Sequence, residues 1–278
     1  MADPTDTGVT PDRWAGEHHG RAAALVEVVQ AAGRLTLEHF RHADLRVEAK
    51  PDDSPVTAAD RQAETLVRER LAERFPHDTL QGEEFAEQEG TSDYRWIVDP
   101  IDGTKSFICG VPLYSTLLAL EFRQRPVAGA IFIPAAGELV VAAEGLGCWY
   151  RGSSDAPWDR CRVSPRTELR QAVFVTSQVD GFDHRDAGQA YKRLEAATRI
   201  TRTWGDGYGY LMVATGRADL MIDPACKAWD VAAILPVIEE AGGRFTSWQG
   251  EATVRGGDGV GSNGHLHQAA LEILAAGD

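Results

Sequence analysis

Cysteine is scarce in this 278-residue chain: Cys109, Cys148, Cys161 and Cys226 lie far apart, with no C-x-x-C pair and no histidine at zinc-ligand spacing. That argues against a structural zinc site and against a disulfide scaffold, so the four are expected to be free thiols. Positive charge is also short, with 28 Lys and Arg against 42 Asp and Glu. The resulting −14 argues against nucleic acid, whose binding depends on cationic neutralisation of phosphates. No apolar run approaches the roughly 20 residues that span a bilayer. The opening MADPTDTGVTPDRWAGEHHG has no basic stretch followed by an apolar one, so neither leader nor anchor is expected and the cytoplasm is the expected compartment. An acidic surface suits solubility there, which accounts for most of the charge.

What is present is enough apolar residue for a core. Hydrophobic residues make up 43%, and at roughly 150 residues per domain the length allows one large domain or two packed together. Helical and extended patterns interleave, with no internal repeat. Residues 1–12 read as a disordered tail. Leu25, Val29, Ala32 and Leu35 recur at helical spacing in a helix ending near Phe40, and Ala63, Val67, Leu71 and Phe75 mark a second, which Thr57 can cap. Asp60 falls on the apolar stripe of that second helix.

Extended runs follow at Trp96–Val98, Leu117–Phe122, Ala128–Ile133 and Leu139–Ala142, separated by Pro and Gly turns. They predict an antiparallel or mixed sheet behind two helices. Ser153–Pro165 reads as a polar connection, Ala172–Thr176 as a strand, and helices are expected near Ala187–Ala197, from Tyr208, and over Val231–Ala241. The expected organisation is a tail, an N-terminal α+β part over 13–165 and a C-terminal α/β part over 166–278.

The stretch RWIVDPIDGTKSF, Arg95 to Phe107, departs from this ordinary pattern. Its apolar run ends in two carboxylates three apart, and ionised groups at the rim of a core cost free energy unless a cation or hydrogen-bond donor meets them. Pro100 stiffens the turn that carries Asp99 and Asp102, and the following Gly103-Thr104 lets backbone N–H groups approach an anion. Glu83 and Glu84 in LQGEEF, and Asp230 in KAWDVAAILPVIEEAGG, add further acids. Many hard oxygen donors without histidine suit Mg²⁺ or Mn²⁺ rather than zinc. Taken singly, Asp230 and Asp60 read more commonly as helix N-terminal carboxylates than as ligands, and Glu83-Glu84 more commonly as a solvated turn.

Together, GEE, DPIDGT and WD, in that order and across most of the chain, resemble the inositol monophosphatase family of Mg²⁺-dependent phosphatases. The resemblance implies a layered αβαβα fold, α+β and α/β subdomains sharing one metal site, and a homodimer. It implies that Glu83, Asp99 and the carbonyl of Ile101 hold one Mg²⁺, and that Asp99, Asp102 and Asp230 hold another, with two or three ions in all. Thr104 with Asp60 is implied to orient and deprotonate the attacking water, while the N–H groups of Gly103 and Thr104 hold phosphate. Lys50 matches a lysine upstream of that aspartate.

Within the family, TRTWGDGYGYLMVATGRADLMIDP with GTKSFICGVPLYSTLLAL resembles the histidinol-phosphate phosphatase branch. Asp206 and Asp223 then bring two more acids to the substrate, beside Asp102 and Asp230, and acids suit the ammonium and imidazole of histidinol phosphate. Asp206 between two glycines also reads as a turn former. Many relatives have Glu where Asp223 stands, and Ser106 replaces an Asn frequent among inositol-specific members, which weakens the alternative of an inositol-1-monophosphatase. A haloacid-dehalogenase-type phosphatase has one residue between its two aspartates, whereas DPIDGT has two. A non-enzymatic ion-binding protein would leave Thr104 without a role and lacks an EF-hand pattern.

Overall fold

The computed structural model describes residues 9–14, 17–43, 45–49 and 55–276, without the side chains of 17–19. Lys50 lies outside the described residues, as do residues 1–8 of the expected tail. The rest of that tail is packed. Pro11–Arg13 forms a single 3-10 turn with Pro11 buried, and Asp12 accepts a 2.8 Å hydrogen bond from the Trp158 indole. Trp14, 5% exposed, explains this early start by drawing the chain onto the core.

Alternation along Tyr94–Asp102 sets the main architecture. Trp96 and Val98 face one side of the sheet and Ile97 the other, so both faces need cover. The seven-stranded sheet runs in the order Thr79–Gly82, Tyr94–Asp102, Ser115–Phe122, Arg125–Ile133, Glu138–Ala143, Gly147–Arg151 and Asp159–Arg160. Its first pair is parallel and the others antiparallel. Helices Glu17–His39 and Ala58–Arg74 cover the Trp96 face through Leu25, Val29, Ala63 and Val67. Asp206–Ala214 and Ile234–Glu240 cover the Ile97 face and separate it from a second sheet.

That second sheet has five strands in the order Ile200–Arg202, Val173–Val175, Leu220–Asp223, Gly259–Ser262 and Arg244–Thr246. Helices Gly188–Ala197 and His267–Ala275 cover its outer face. The layers therefore alternate αβαβα, as the resemblance implied. Each fully buried large side chain in the interlayers, such as Leu117 or Phe174, contributes about 1.5–3 kcal/mol.

Two local differences from the sequence reading have physical causes. The helix expected over Val231–Ala241 is divided into Ala228–Val231 and Ile234–Glu240. Pro236 has no N–H for the carbonyl four residues earlier, and its ring crowds that carbonyl. The break packs tightly on the sheet, because a Cβ on Gly129 would stand 2.1 Å from the Ala233 carbonyl oxygen. Asp159–Arg160 pairs with the sheet inside the expected polar connection, and next to it Cys161 donates its N–H to the Cys148 carbonyl at 2.9 Å. All four cysteines are free thiols.

Candidate active site

Asp99 and Asp102 lie within the last residues of Tyr94–Asp102 rather than in a turn beyond it, and a register shift separates them. This irregularity carries Pro100 and Ile101 across, with Thr116 Oγ1 donating to the Pro100 carbonyl at 2.9 Å. It is what aims two carboxylates three apart at one place in spite of the alternation of a strand. Asp230, third residue of Ala228–Val231, comes in from the helical layer between the two sheets. Single carboxylate oxygens of Asp99, Asp102 and Asp230 lie within 4.8 Å of one another.

Each of these three has one oxygen tied by the protein. Ile101 N–H donates to Asp99 Oδ1 at 3.0 Å and Lys227 N–H to Asp230 Oδ2 at 2.6 Å. Asp102 Oδ2 accepts from Ser115 Oγ and Gly207 N, both at 2.5 Å. Burial and then neighbouring carboxylates, Glu83 beside both Asp99 and Asp230, and Asp206 beside Asp102, push all three carboxyls up, Asp230 to about 6. Glu83 is a hydrogen-bonding and charged neighbour of Asp99. Its turn is set by Glu64, a fully buried acid whose Oε2 accepts from Glu84 N–H at 2.8 Å while Oε1 pairs with Arg68.

The donor set is thus a cluster of carboxylates without imidazole, buried and crowded enough to disfavour their charged forms. That chemistry fits a divalent cation of the Mg²⁺ type. Asp60 supports the fit. Its Oδ2 accepts from Thr57 N–H at 2.8 Å and Thr57 Oγ1 at 2.6 Å, capping Ala58–Arg74, but its fully buried Oδ1 has no hydrogen-bond partner among the described residues. Burial raises its pKa, and the Glu83 charge adds to this. An orphaned buried oxygen of this kind calls for a bound water or ion. Asp60 and Thr104 are not bonded to each other here: Thr104 Oγ1 donates to the Ile101 carbonyl at 3.1 Å.

Gly103, at φ +84°, caps the short helix Thr104–Ile108. A Cβ at this position would also lie 2.6 Å from Asp206 Oδ2, so glycine is required by both conformation and space. Gly103 and Thr104 line a cleft of about 470 Å³ with Glu83, Asp102, Asp206, Asp223 and Asp230. The cleft lies where the two sheets' strand ends meet.

Asp206 and Asp223 are held differently. Asp223 Oδ1 accepts from Ser177 Oγ and Oδ2 from Tyr210 OH, at 2.5 and 3.0 Å, and burial pushes the carboxyl up to about 7. Asp206 begins its helix at φ +55°, an uncommon conformation for a residue with a side chain, and its N–H donates to Ser177 Oγ at 3.1 Å. Burial raises its pKa, while Ser177 and the Lys105 ammonium pull it back. Ser177, Tyr210, Ser115 and Glu64 were not singled out in the sequence. Only Glu64 carried a signal, one helical turn beyond Asp60 on the same apolar face.

Among the described residues, no helix is long and apolar enough to cross a membrane. The family model for the inositol monophosphatase family matches residues 19–277. A histidinol-phosphatase of Chlorobaculum parvum is 38% identical, covering 91% of this chain and 96% of its own. One from Streptomyces coelicolor is 38% identical over 89% and 94%, and one from Mycobacterium tuberculosis 37% over 93% and 99%. In structure, the extragenic suppressor protein suhB of Bartonella henselae aligns with TM-score 0.85 at 29% identity, over 93% of this chain and all of that one. A Thermotoga maritima IMPase aligns with TM-score 0.81 at 28% identity, over 92% and 96%. With its layers, its acid cluster and these likenesses in agreement, the chain belongs to the inositol monophosphatase family.

Proposed function

We propose that this chain is a Mg²⁺-dependent phosphate monoester hydrolase whose substrate is histidinol phosphate. The observation that carries the reading is the acid cleft: carboxylates of Asp99, Asp102 and Asp230 that crowd one another, and on the same cleft Asp206 and Asp223, which this reading assigns to the leaving group. The relatives named histidinol-phosphatase at 37–38% identity support the choice of substrate.

In this reading Glu83, Asp99, Asp102, Asp230 and the Ile101 carbonyl hold the cations. When bound, such ions lower the pKa of a water molecule and stabilise the departing alkoxide. The N–H groups of Gly103 and Thr104 orient the phosphate, and the Thr104 hydroxyl with Asp60 Oδ1 receives the proton of the attacking water. Asp60 Oδ1 suits that task because nothing else in the described protein occupies it. Asp206 and Asp223 meet the ammonium or imidazole, and Mn²⁺ is expected to substitute for Mg²⁺. A homodimer in the cytoplasm completes the proposal.

The deciding experiment ranks histidinol phosphate, inositol 1-phosphate, fructose 1,6-bisphosphate and 3′-phosphoadenosine 5′-phosphate by kcat/KM with Mg²⁺. Histidinol phosphate is expected first. If inositol 1-phosphate leads, the substrate assignment is wrong, and full activity after exhaustive chelation removes the metal assignment as well. Light scattering of the purified protein tests the dimer.

A further inference from the structure

The cleft wall formed by Asp223, Pro224, Ala225 and Cys226 has little regular structure to hold it. Asp223 is the last residue of its strand, paired with Gly259, and the next helix begins at Ala228. The Pro224 carbonyl lies beyond the strand end and needs a partner outside the ladder, and the Asp223 carbonyl, at the last ladder position, has a second lone pair that can take another donor. Both successive carbonyls find such donors in side chains that are outside the cleft. Trp248 Nε1 donates to the Asp223 carbonyl at 3.1 Å, and Arg185 Nη1 donates to the Pro224 carbonyl at 2.5 Å. Farther along, Cys226 N–H donates to the Gly257 carbonyl at 3.0 Å.

Those two donors are themselves fixed by one acid. Asp258, 2% exposed, accepts from Arg185 Nη1 through Oδ2 and from Trp248 N–H through Oδ1, each at 2.7 Å. The Arg185 guanidinium also sits 4.4 Å from the centroid of the Trp248 ring, which rests against Phe182. Arg185, in the loop after the short helical turn Asp180–Asp183, and Trp248 and Asp258, at the two ends of the connection from Arg244–Thr246 to Gly259–Ser262, thus form one closed frame, and among the described residues it reaches toward the cleft through two hydrogen bonds to the wall. Gly181 takes part sterically, since a Cβ there would stand 2.7 Å from Pro224 Cγ.

We propose that Arg185, Trp248 and Asp258 are positioning residues that set the place of the Asp223–Cys226 wall and thereby the enzyme's selection of the leaving group. The inference rests on the functional reading above. None of the three touches the cleft or the acid cluster, so the frame acts only through the wall. Its effect falls on a leaving group large and charged enough to meet Asp223, and not on a small neutral one.

Trp248→Phe tests this, because it keeps the ring beneath Arg185 and removes only the donor to Asp223. Loss of one such hydrogen bond is expected to raise KM for histidinol phosphate about threefold to tenfold, with kcat and the kinetics of glycerol 2-phosphate nearly unchanged. Arg185→Lys keeps the charge beside Asp258 but loses the planar fork that serves two acceptors, and should shift KM in the same direction. Arg185→Ala risks misfolding by stranding Asp258, so these two conservative variants carry the test. If both esters lose kcat/KM equally as Tm falls, the frame is merely structural and the inference is overturned. A wild-type preference for histidinol phosphate that both variants leave intact overturns it too, with the functional reading untouched. A wild-type enzyme without that preference overturns the functional reading, and this inference with it.

Discussion

The two groups of acids in the cleft differ in how the protein satisfies them. In Asp99, Asp102 and Asp230, backbone N–H or hydroxyl donors reach one oxygen of each, and single oxygens of all three crowd together, with Glu83 a further carboxylate against Asp99. In Asp223 both oxygens already accept from hydroxyls, Ser177 and Tyr210. A carboxylate in a crowd of its own charge is an incomplete site, whereas one with donors on both oxygens is locally stable. The difference separates residues that need a cation from residues that shape a pocket. Asp60, with one oxygen capped twice and the other orphaned, belongs with the first group.

The sharpest way to break the comparison is to remove a charge from the crowded set. Asp99→Asn or Asp230→Asn is expected to lower kcat/KM about 10²–10⁴-fold, the scale of removing one partner from a buried charge interaction. Mg²⁺ affinity should fall with it, while thermal stability measured in EDTA rises, since repulsion is relieved. A variant less stable in EDTA would mean that these acids are not in conflict. Thr104→Ala is expected to cost kcat about 10²–10⁴-fold through lost proton transfer, yet to leave the Mg²⁺-induced rise in Tm in place. If that rise disappears, Thr104 belongs to cation binding.

For Asp223 and Asp206 the expected loss is smaller and selective. Asp223→Asn should lower kcat/KM for histidinol phosphate about thirtyfold, the low end for truncating a desolvated charge pair, because Ser177 and Tyr210 still hold the side chain. Asp206→Asn has no second hydroxyl to retain it and should cost more. Glycerol 2-phosphate should change far less with either, and equal losses on both esters would return the two aspartates to a structural role.

The smallest effects are in the pH dependence of stability without metal. Asp223 and Asp230, raised by burial to about 7 and about 6, bind protons in the folded chain that the unfolded chain releases near 3.8. Their contribution is full below that value and is lost as pH rises through 6 and 7. His267 runs the other way. Buried between Thr246 and Ser262 and lowered to about 4, it contributes fully above 6.5 and loses this as pH falls toward 4. Scanning calorimetry in EDTA should therefore show Tm falling from pH 6 to 8. Mg²⁺ should raise Tm more at pH 8 than at pH 5.5, and His267→Gln should flatten the acid side of the curve.

Much of this was legible in the sequence because it depends on neighbours in the chain. Apolar periodicity located the long helices and the central strands, and Thr57 caps its helix as its position suggested. The edge pieces Thr79–Gly82 and Asp159–Arg160 were not legible, since a short edge strand needs few apolar residues and takes its conformation from the partner it meets. Ser115, Ser177 and Tyr210 were missed for the same reason. A serine or tyrosine shows no local sign of the carboxylate it will serve when that partner is 13 to 46 residues away, as for Tyr210 and Ser177 with Asp223.

By itself the sequence determined the chemical inventory: hard oxygen donors without histidine, a Pro-stiffened pair of aspartates before Gly-Thr, and an excess of acidic over basic residues. These follow from composition and short spacing, and the chain cannot alter them by folding. Only the tertiary structure decided which donors and which other carboxylates each acid meets. That depends on a register shift in Tyr94–Asp102, on a helix broken before Pro236 that brings Asp230 across from another layer, and on hydroxyls from distant strands and helices. Hydrogen bonds act over about 3 Å while the residues involved are scattered over the whole chain. Packing of the layers is what brings them within that distance.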